Sequence, residues 1–377
     1  MVIVRAPVRI SFGGGGTDLA AYYTRFGGLV VSAAITRYCY VVASAPPDGS
    51  IRINSADYRT WETYRRGEIP PVAQPLALAK AAIACFAGRG LCESGIDLFL
   101  ASEVPPGTGL GSSSAMAVGL VRALAAHVRL PLDAAAVAEL ACHVEIEQLG
   151  RPIGKQDHYA GAFGGLNAIT FTAGGVKVMP LDVPADVVAA LNARLLLFAT
   201  GQTRDSAAIL RRQRTDTGTN PAVIAALHRI KALAAEMREA LETEDLDRFG
   251  QLLDQGWREK KSLSRRVSTR EIDGWYEAAR AAGALGGKIT GAGGGGFLLL
   301  YCPPRRQGAV RAAMAQAGLR ELPFDVDGVG AQVLTDQVVG ADRRLAQGAV
   351  GDEAIGVRGI GDSAGQDSNA YRLSPSA

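Results

Sequence analysis

The sequence predicts an α+β protein of two domains followed by a tail. Its 377 residues suffice for two domains or one large one. Strand and helix patterns intermix through the first half, and a second series of strands starts at "ARLLLFATG" and resumes after a long helical region. The expected boundaries are residues 1–180 for an N-terminal domain, 190–337 for a C-terminal domain and 338–377 for a disordered tail. With 48% hydrophobic and 20% charged residues, the chain can bury a substantial core.

Taken along the chain, "VIVRAPVRISF" alternates and is rich in β-branched residues, as a strand is. Residues 27–44, "GGLVVSAAITRYCYVVAS", read as a pair of strands, the second carrying Tyr38 and Tyr40. "PLALAKAAIACFAG" (75–88) is an Ala-rich helix that stops at glycine. "GIDLFLASEVPPG" is a strand running into a loop, because Pro105-Pro106 cannot continue a ladder. Two helices follow: "SSSAMAVGLVRALAAHV" (112–128), with a hydroxyl-rich start, and "PLDAAAVAELACHVEIEQLG" (131–150). "GGLNAITF" and "GGVKVMPL" suggest strand, turn and strand, and "ARLLLFATG" a fully buried strand. In "NPAVIAALHRIKALAAEMREALETED", Ile224, Leu227, Ile230, Leu233, Met237 and Leu241 share one face, with Asn220 as cap and Pro221 in the first turn. "GGKITGAGGGGFLLLYCP" returns to strand. From about 338 the Gly-, Ser- and Asp-rich composition cannot offset its ordering entropy, so disorder is expected there.

A net charge of +3 without a block of like charges gives no argument for nucleic acid. The basic cluster "REKKSLSRR" (258–266) contains acid as well as base and reads as a solvated helix face. Five scattered cysteines, with no CxxC pair, suggest reduced thiols in a cytosolic protein. The four histidines show no metal-ligand spacing. Met1–Phe12 carries Arg5 and Arg9 in a broken apolar run, unlike a signal peptide, and no stretch approaches the roughly 20 apolar residues of a membrane span. The expectation is a cytoplasmic enzyme or binding protein, with monomer and homodimer both open.

Four stretches carry chemistry. "ITGAGGGGFLLL" (289–300) fits the dinucleotide fingerprint G-x-G-x-x-G at Gly291, Gly293 and Gly296. That fingerprint opens a helix, and an acidic residue waits on a second strand. Here the glycines open into the strand "FLLLY", and Arg320-Glu321 shows no strand pattern, so the nicotinamide reading fails. Gly291, Gly293, Gly294 and Gly295 instead permit close backbone approach to a ligand or a neighbouring loop. In "PPGTGLGSSSA" (105–115), Gly107, Gly109 and Gly111 allow inward N–H groups, and the loop enters a helix whose positive end favours phosphate. No GxxxxGK[ST] occurs, so this is not a Walker A loop; the plain alternative is a glycine turn with a serine N-cap.

"HVEIEQLGRPIGKQDHYAGAFGG" (143–165) presents Glu145, Glu147 and Asp157. A carboxylate near a phosphate loop can bind Mg2+ or orient a hydroxyl nucleophile; alone, Asp157 is a cap and Glu145 a solvated helix residue. In "APVRISFGGGGTDL" (6–19), Arg9 lies on a strand, and the amides of Gly13, Gly14, Gly15 and Gly16 suit a polar or anionic substrate. Asp18 there can accept from sugar hydroxyls, unless the turn is only a flexible hairpin tip.

Three of these motifs together carry a resemblance. "PVRISFGGGGTD", then "PPGTGLGSSSA" about 90 residues on, then "KITGAGGGGF" resemble the galactokinase, homoserine kinase, mevalonate kinase and phosphomevalonate kinase (GHMP) superfamily, over roughly residues 1–335. "EIEQLGRPIGKQDHYAGAFGGLN" and "TGQTRDSAAIL" look most like kinases of D-glycero-D-manno-heptose 7-phosphate. The resemblance implies a two-domain GHMP kinase fold, its N-terminal domain a mixed β-sheet with helices and its C-terminal domain ferredoxin-like. It implies ATP and Mg2+, and a sugar phosphate substrate phosphorylated at its anomeric hydroxyl to the 1,7-bisphosphate. Neither nucleic acid nor membrane is an expected partner.

Residue roles follow from the same resemblance. Pro106, Gly107, Thr108, Gly109, Leu110, Gly111, Ser112, Ser113 and Ser114 would cradle the ATP phosphates, with the Ser113 hydroxyl on Mg2+. Glu145, twelve residues before Asp157, would be the second metal ligand, with Glu147 as fallback. Asp157 matches the carboxylate that takes or orients the proton of the attacking hydroxyl, and Arg9 the guanidinium beside it. Gly13–Gly16, Thr17 and Asp18 would bind the sugar. Lys155 and Arg204 are candidates for the substrate's own phosphate, unless they are ordinary surface charges. The glycine loop from Gly291 to Gly295 would close over the phosphates. His158 stands where relatives commonly carry Gln, and four glycines replace the Gly-Glu-His of galactokinases, which argues against galactose. The rival readings are a kinase of an unphosphorylated sugar such as fucose, a catalytically silent sugar sensor, and a dinucleotide-dependent oxidoreductase.

Overall fold

The computed structural model describes residues 1–202, 206–264 and 266–336, so Arg204 and the expected tail lie outside the described residues. The strands are β1 (Val2–Gly13), β2 (Gly28–Ser44), β3 (Ile51–Ser55), β4 (Thr60–Tyr64), β5 (Ile96–Ser102), β6 (Leu166–Thr172), β7 (Gly175–Pro180), β8 (Leu195–Ala199), β9 (Gly286–Ile289), β10 (Phe297–Tyr301), β11 (Arg320–Glu321) and β12 (Gln332–Asp336). The larger sheet runs β12-β1-β2-β5-β3-β4, with β6 on the first half of β2 and β7 beside β6. Among the described residues, β3 and β5 are the only parallel pair in this sheet.

Residues 27–44 were expected to form two strands, and they form one. Their apolar halves flank Thr36 and Arg37, which face no residue of β1, because pairing passes from Pro7–Tyr38 directly to Val8–Ile35. Pro7 has no N–H to give the ladder, so the register breaks there and the two polar residues bulge out. Thr36 N donates to Asp325 O, and Thr36 Oγ1 accepts from Asp325 N, each at 2.9 Å.

The smaller sheet is antiparallel in the order β11-β8-β10-β9. Helices join β8 to β9, a tight glycine loop joins β9 to β10, and helix Gln307–Gln316 joins β10 to β11. This β-α-β-β-α-β order is the expected ferredoxin-like arrangement. Arg320-Glu321, read as lacking a strand pattern, is its short edge. Asn220 caps helix Pro221–Glu242 by accepting from Ala222 N at 3.0 Å.

β12 leaves the smaller sheet and pairs antiparallel with β1, so residues 332–336 complete the larger sheet. The core is also shared: Met237, Phe249 and Leu252 pack with Phe12 and Val30, and the Phe12 and Phe249 rings meet edge to face at 5.2 Å. Residues 1–337 therefore behave as one compact unit.

Two helices set up the site. Helix Ser112–His127 lies on β1 and β2 and is buried on most sides. Its Leu120, Val121 and Leu124 are fully buried, each stabilising by roughly 1.5–3 kcal/mol. The helix expected over 131–150 is α-helical only at Ala134–Cys142, capped by Asp133, and then widens into a π-helical turn at His143–Gln148. Among the described residues no helix is long and apolar enough to cross a membrane.

Candidate active site

A cavity of about 410 Å³ opens where the loops of both sheets converge. One wall is the loop before helix Ser112–His127, another the glycine turn after β1, and the third the loop between β9 and β10. β12 covers β1 only as far as Arg5, so the edge of β1 beyond it is free, and Arg9 N donates to Leu110 O at 2.9 Å. The Arg9 side chain, buried at 4% exposure, grips Asp157 with both arms: Nε to Oδ1 at 2.8 Å and Nη2 to Oδ2 at 2.6 Å. Nη1 donates to Gly109 O at 2.8 Å. This planar fork ties the glycine loop to the carboxylate and fixes its orientation. Asp157 lies in the first turn of helix Gln156–Phe163 and faces the cavity.

Asp18 is also buried in this wall, accepting from Gly16 N at 2.9 Å and from Gln156 N at 3.3 Å. Burial, and then the nearby Asp157 carboxylate, raise its pKa above the ordinary value against those amides. Gly15, Gly16 and Asp18 line the cavity. Gly13, Gly14 and Thr17 do not. Thr17 Oγ1 lies 2.8 Å from Gly14 O and 3.0 Å from Leu29 O, and it accepts from Leu29 N at 3.1 Å, so it pins the turn to β2.

The π-helical turn gives the two glutamates different surroundings. It buries Glu145 against the start of helix Ser112–His127, while Glu147 points outward and pairs with His143 at 2.8 Å. Glu145 Oε1 accepts from Ser113 Oγ and Arg151 Nη1, each at 2.5 Å; Oε2 accepts from Ser114 Oγ at 2.8 Å and lies 2.9 Å from His158 Nε2. Burial alone would raise this carboxyl, but His158, Arg151 and Ser113 outweigh it and hold it down at about 2. Burial likewise opposes a charged His158, yet Cys142 and Glu145 beside the ring raise its pKa well above 6.5. His158 is thus a partner of Glu145, buried away from the cavity.

The Ser113 hydroxyl and the Glu145 carboxylate are adjoining hard oxygen donors beside a loop suited to phosphate. That set fits Mg2+, which takes one or two protein oxygens together with substrate phosphates and water. Among the described residues no three His, Cys, Asp or Glu side chains gather into an all-protein metal cage. A second cavity of about 130 Å³ adjoins Ser112 and Ser113 and is walled by Leu76, Leu78, Leu100, Met116 and Leu120.

Not every expected residue reaches the cavity. Pro106, Gly107, Gly109, Gly111, Ser112, Ser113 and Ser114 line it, whereas Leu110 is in the core and Thr108 bonds back to Pro105 O at 2.7 Å. Gly291 lines it and touches the facing loop, where a Cβ on Gly291 would lie 2.5 Å from Gly109 Cα. Gly293 and Gly294 pack on Val267, with Gly294 N donating to Val267 O at 2.7 Å, and Gly295 packs on Gln202. Lys155 lies outside the cavity lining, its Nζ 2.8 Å from Glu139 Oε2.

Other residues face the cavity without having been singled out. Arg151, Lys260 and Lys288 bring cations, and Ser11 Oγ, Gln156 Oε1 and Gln213 Nε2 are buried polar atoms without a hydrogen-bond partner among the described residues. Lys260 was hidden in the basic cluster read as a solvated face. Its signal was helical spacing: with Leu253 and Trp257 it forms an i, i+4, i+7 row on the buried side of helix Leu246–Leu263. Lys288 was a lone cation in a short apolar strand.

Comparison with known proteins agrees with this architecture. The family model for the GHMP kinases N terminal domain matches residues 77–165, and that for GHMP kinases C terminal matches residues 237–319. The chain is 33% identical over 332 residues to D-glycero-alpha-D-manno-heptose 7-phosphate kinase of Campylobacter jejuni, covering 86% of this chain and 97% of that one. Among solved structures it resembles a D-glycero-D-manno-heptose 1-phosphate kinase from Bacteroides thetaiotaomicron, with TM-score 0.75 and 28% identity over 90% of this chain and 100% of the other. It also resembles a putative sugar kinase from Campylobacter jejuni, with TM-score 0.73 and 31% identity over 88% and 97% of the two chains.

Proposed function

The chain belongs to the GHMP kinases, and from that membership we propose that it transfers the γ-phosphoryl group of ATP to the anomeric hydroxyl of D-glycero-D-manno-heptose 7-phosphate. The observation that carries the reading is the Arg9-held carboxylate of Asp157, presented to a cavity between a phosphate-type loop and a polar turn.

The amides of the Gly107–Gly111 loop and the positive end of helix Ser112–His127 suit the ATP phosphates. The adjoining apolar cavity suits the adenine base. Ser113 and Glu145 would hold Mg2+, which when bound draws charge from the phosphates. On the other side, Asp18, Gly16 and the unpartnered atoms of Ser11, Gln156 and Gln213 match the hydroxyls of a sugar. Asp157 accepts the anomeric proton as the new O–P bond forms and the bond from the γ-phosphorus to its bridging oxygen breaks, releasing ADP. Such proton acceptance typically contributes about 10²–10⁴-fold, and Arg9 keeps the carboxylate aimed.

The test is ADP release from Mg·ATP with heptose 7-phosphate, run beside heptose, mannose and fucose without phosphate. Turnover with the 7-phosphate alone is expected. Turnover only with a free sugar would retain the kinase chemistry and overturn the substrate.

A further inference from the structure

Two lysines in the cavity have no part in the chemistry above. Lys260 donates its ammonium to Gly291 O, in the loop that touches Gly109. Lys288, buried on β9, donates to Ser11 O at 2.7 Å and Phe12 O at 3.0 Å. Neither forms an ion pair among the described residues; both bond only to neutral carbonyls. The charged groups facing Lys260 are Arg9, Asp18 and Asp157, and Lys288 stands near enough to feel it. Arg9 already spends its fork on Asp157.

An ammonium group without an ion pair among the described residues, beside a guanidinium in a partly desolvated cavity, favours an arriving anion. The location says which anion. Lys260 reaches Gly291, Gly291 abuts Gly109, Gly109 O accepts from Arg9, and Arg9 holds Asp157. That chain of contacts runs along the cavity wall between the Gly107–Gly111 loop and the Asp157 carboxylate, where the kinase reading puts the passage of the γ-phosphoryl group from donor to acceptor. We infer that Lys260 is a further catalytic residue, meeting the oxygens of the phosphoryl group during its transfer, with Lys288 tying β9 to the end of β1 behind it. Charge on those oxygens is what phosphoryl-transfer sites must neutralise. Burial, then repulsion from Arg9, lowers the Lys260 pKa to about 8 against the pull of Asp18 and Asp157. The group is therefore charged at neutral pH and loses its proton as pH rises through about 8.

The inference rests on the kinase reading of this site, and two measurements separate their failures. Titration of the enzyme with Mg·ADP, alone and with aluminium fluoride as the phosphoryl mimic, requires no sugar. Lys260→Met should leave Mg·ADP affinity within about threefold and weaken the aluminium fluoride complex about 30–100-fold. On whichever sugar the wild type phosphorylates, its kcat should fall about 10²–10³-fold with both KM values nearly unchanged. Wild-type kcat/KM should decline as pH rises through about 8, and Lys260→Arg, which keeps its charge, should lose that limb. Lys260→Gln, which keeps a donor towards Gly291 without the charge, replaces the methionine variant should that one not fold. Unchanged fluoride binding and kcat would overturn the inference. So would a raised KM for a sugar phosphate at constant kcat, which would put Lys260 on the sugar's own phosphate. A wrong sugar assignment shows only in the wild-type acceptor panel.

Discussion

Arg9 and Asp157, 148 positions apart, meet as a two-pronged ion pair at 2.8 and 2.6 Å, joining the free edge of β1 to the first turn of a helix. The pair does two jobs through one geometry, since the third arm of Arg9 also holds Gly109 O. Asp157→Asn removes the proton acceptor and turns an amide N–H₂ towards the guanidinium. Turnover should fall by at least about 10²-fold while Mg·ATP affinity stays within about threefold. Steady-state kinetics with nucleotide titration read both, and a variant that keeps most of its turnover would remove Asp157 as the base.

Two glycines of the Gly107–Gly111 loop allow a matched comparison. Gly107 and Gly111 both have left-handed backbone, with φ of 78° and 77°. A Cβ on Gly107 would meet open space, whereas one on Gly111 would lie 3.1 Å from Asp157 Oδ2 and 3.3 Å from Arg9 Cζ. Each alanine variant should lose about 1 kcal/mol of stability to backbone strain. Their kinetics should differ: Gly107→Ala raises KM for ATP, and Gly111→Ala lowers kcat about tenfold or more by pushing on the Arg9–Asp157 pair. Equal kcat values for the two would mean that the pair tolerates displacement.

How much of this was legible in the sequence depended on whether a residue acts through its neighbours in the chain. Loops that present backbone amides need glycines at fixed spacing, so the stretches around Gly13–Gly16, Gly107–Gly111 and Gly291–Gly296 stood out. Arg9, Asp18 and Asp157 were found because they lie within such stretches. Glu145 was preferred to Glu147 only through its spacing to Asp157 in the family resemblance, because the burial that distinguishes them comes from a π-helical turn that the sequence pattern does not reveal. Arg151, Lys260 and Lys288 went unnoticed because facing a cavity is a property of packing between distant segments. The bulge at Thr36–Arg37 and the return of β12 to β1 are tertiary facts of the same kind.

Lys155 tests that lesson directly. The Gly-Lys-Gln-Asp turn made it a candidate for holding the substrate's phosphate, yet its ammonium sits against both oxygens of Glu139, at 2.8 and 3.1 Å. Both partners are partly exposed, so the pair contributes only a few tenths of a kcal/mol up to about 1 kcal/mol. Lys155→Met should therefore change KM for the sugar phosphate by less than about threefold. A rise of tenfold or more would return Lys155 to the substrate site and require it to leave Glu139 on binding.

Glu145 carries the last prediction, on metal dependence. Its carboxylate is buried, held by two serines, Arg151 and His158, and its pKa lies at about 2 instead of 4.5. The stability this lends is present above 4.5 and is lost as pH falls towards about 2, so the charge is available to a cation throughout the working range. Arg151 Nη1 contacts both Ser113 Oγ and Glu145 Oε1, the residues that would hold Mg2+. Glu145→Gln leaves Arg151 and His158 facing a neutral amide, which should cost about 3–5 kcal/mol of stability. It should also raise the free Mg2+ needed for half-maximal rate at fixed ATP by tenfold or more. Glu147→Gln, on the outward side with His143, should leave both readings within error. If Glu147→Gln moves the Mg2+ requirement and Glu145→Gln does not, the ligand is Glu147 and the buried network around Glu145 is purely structural.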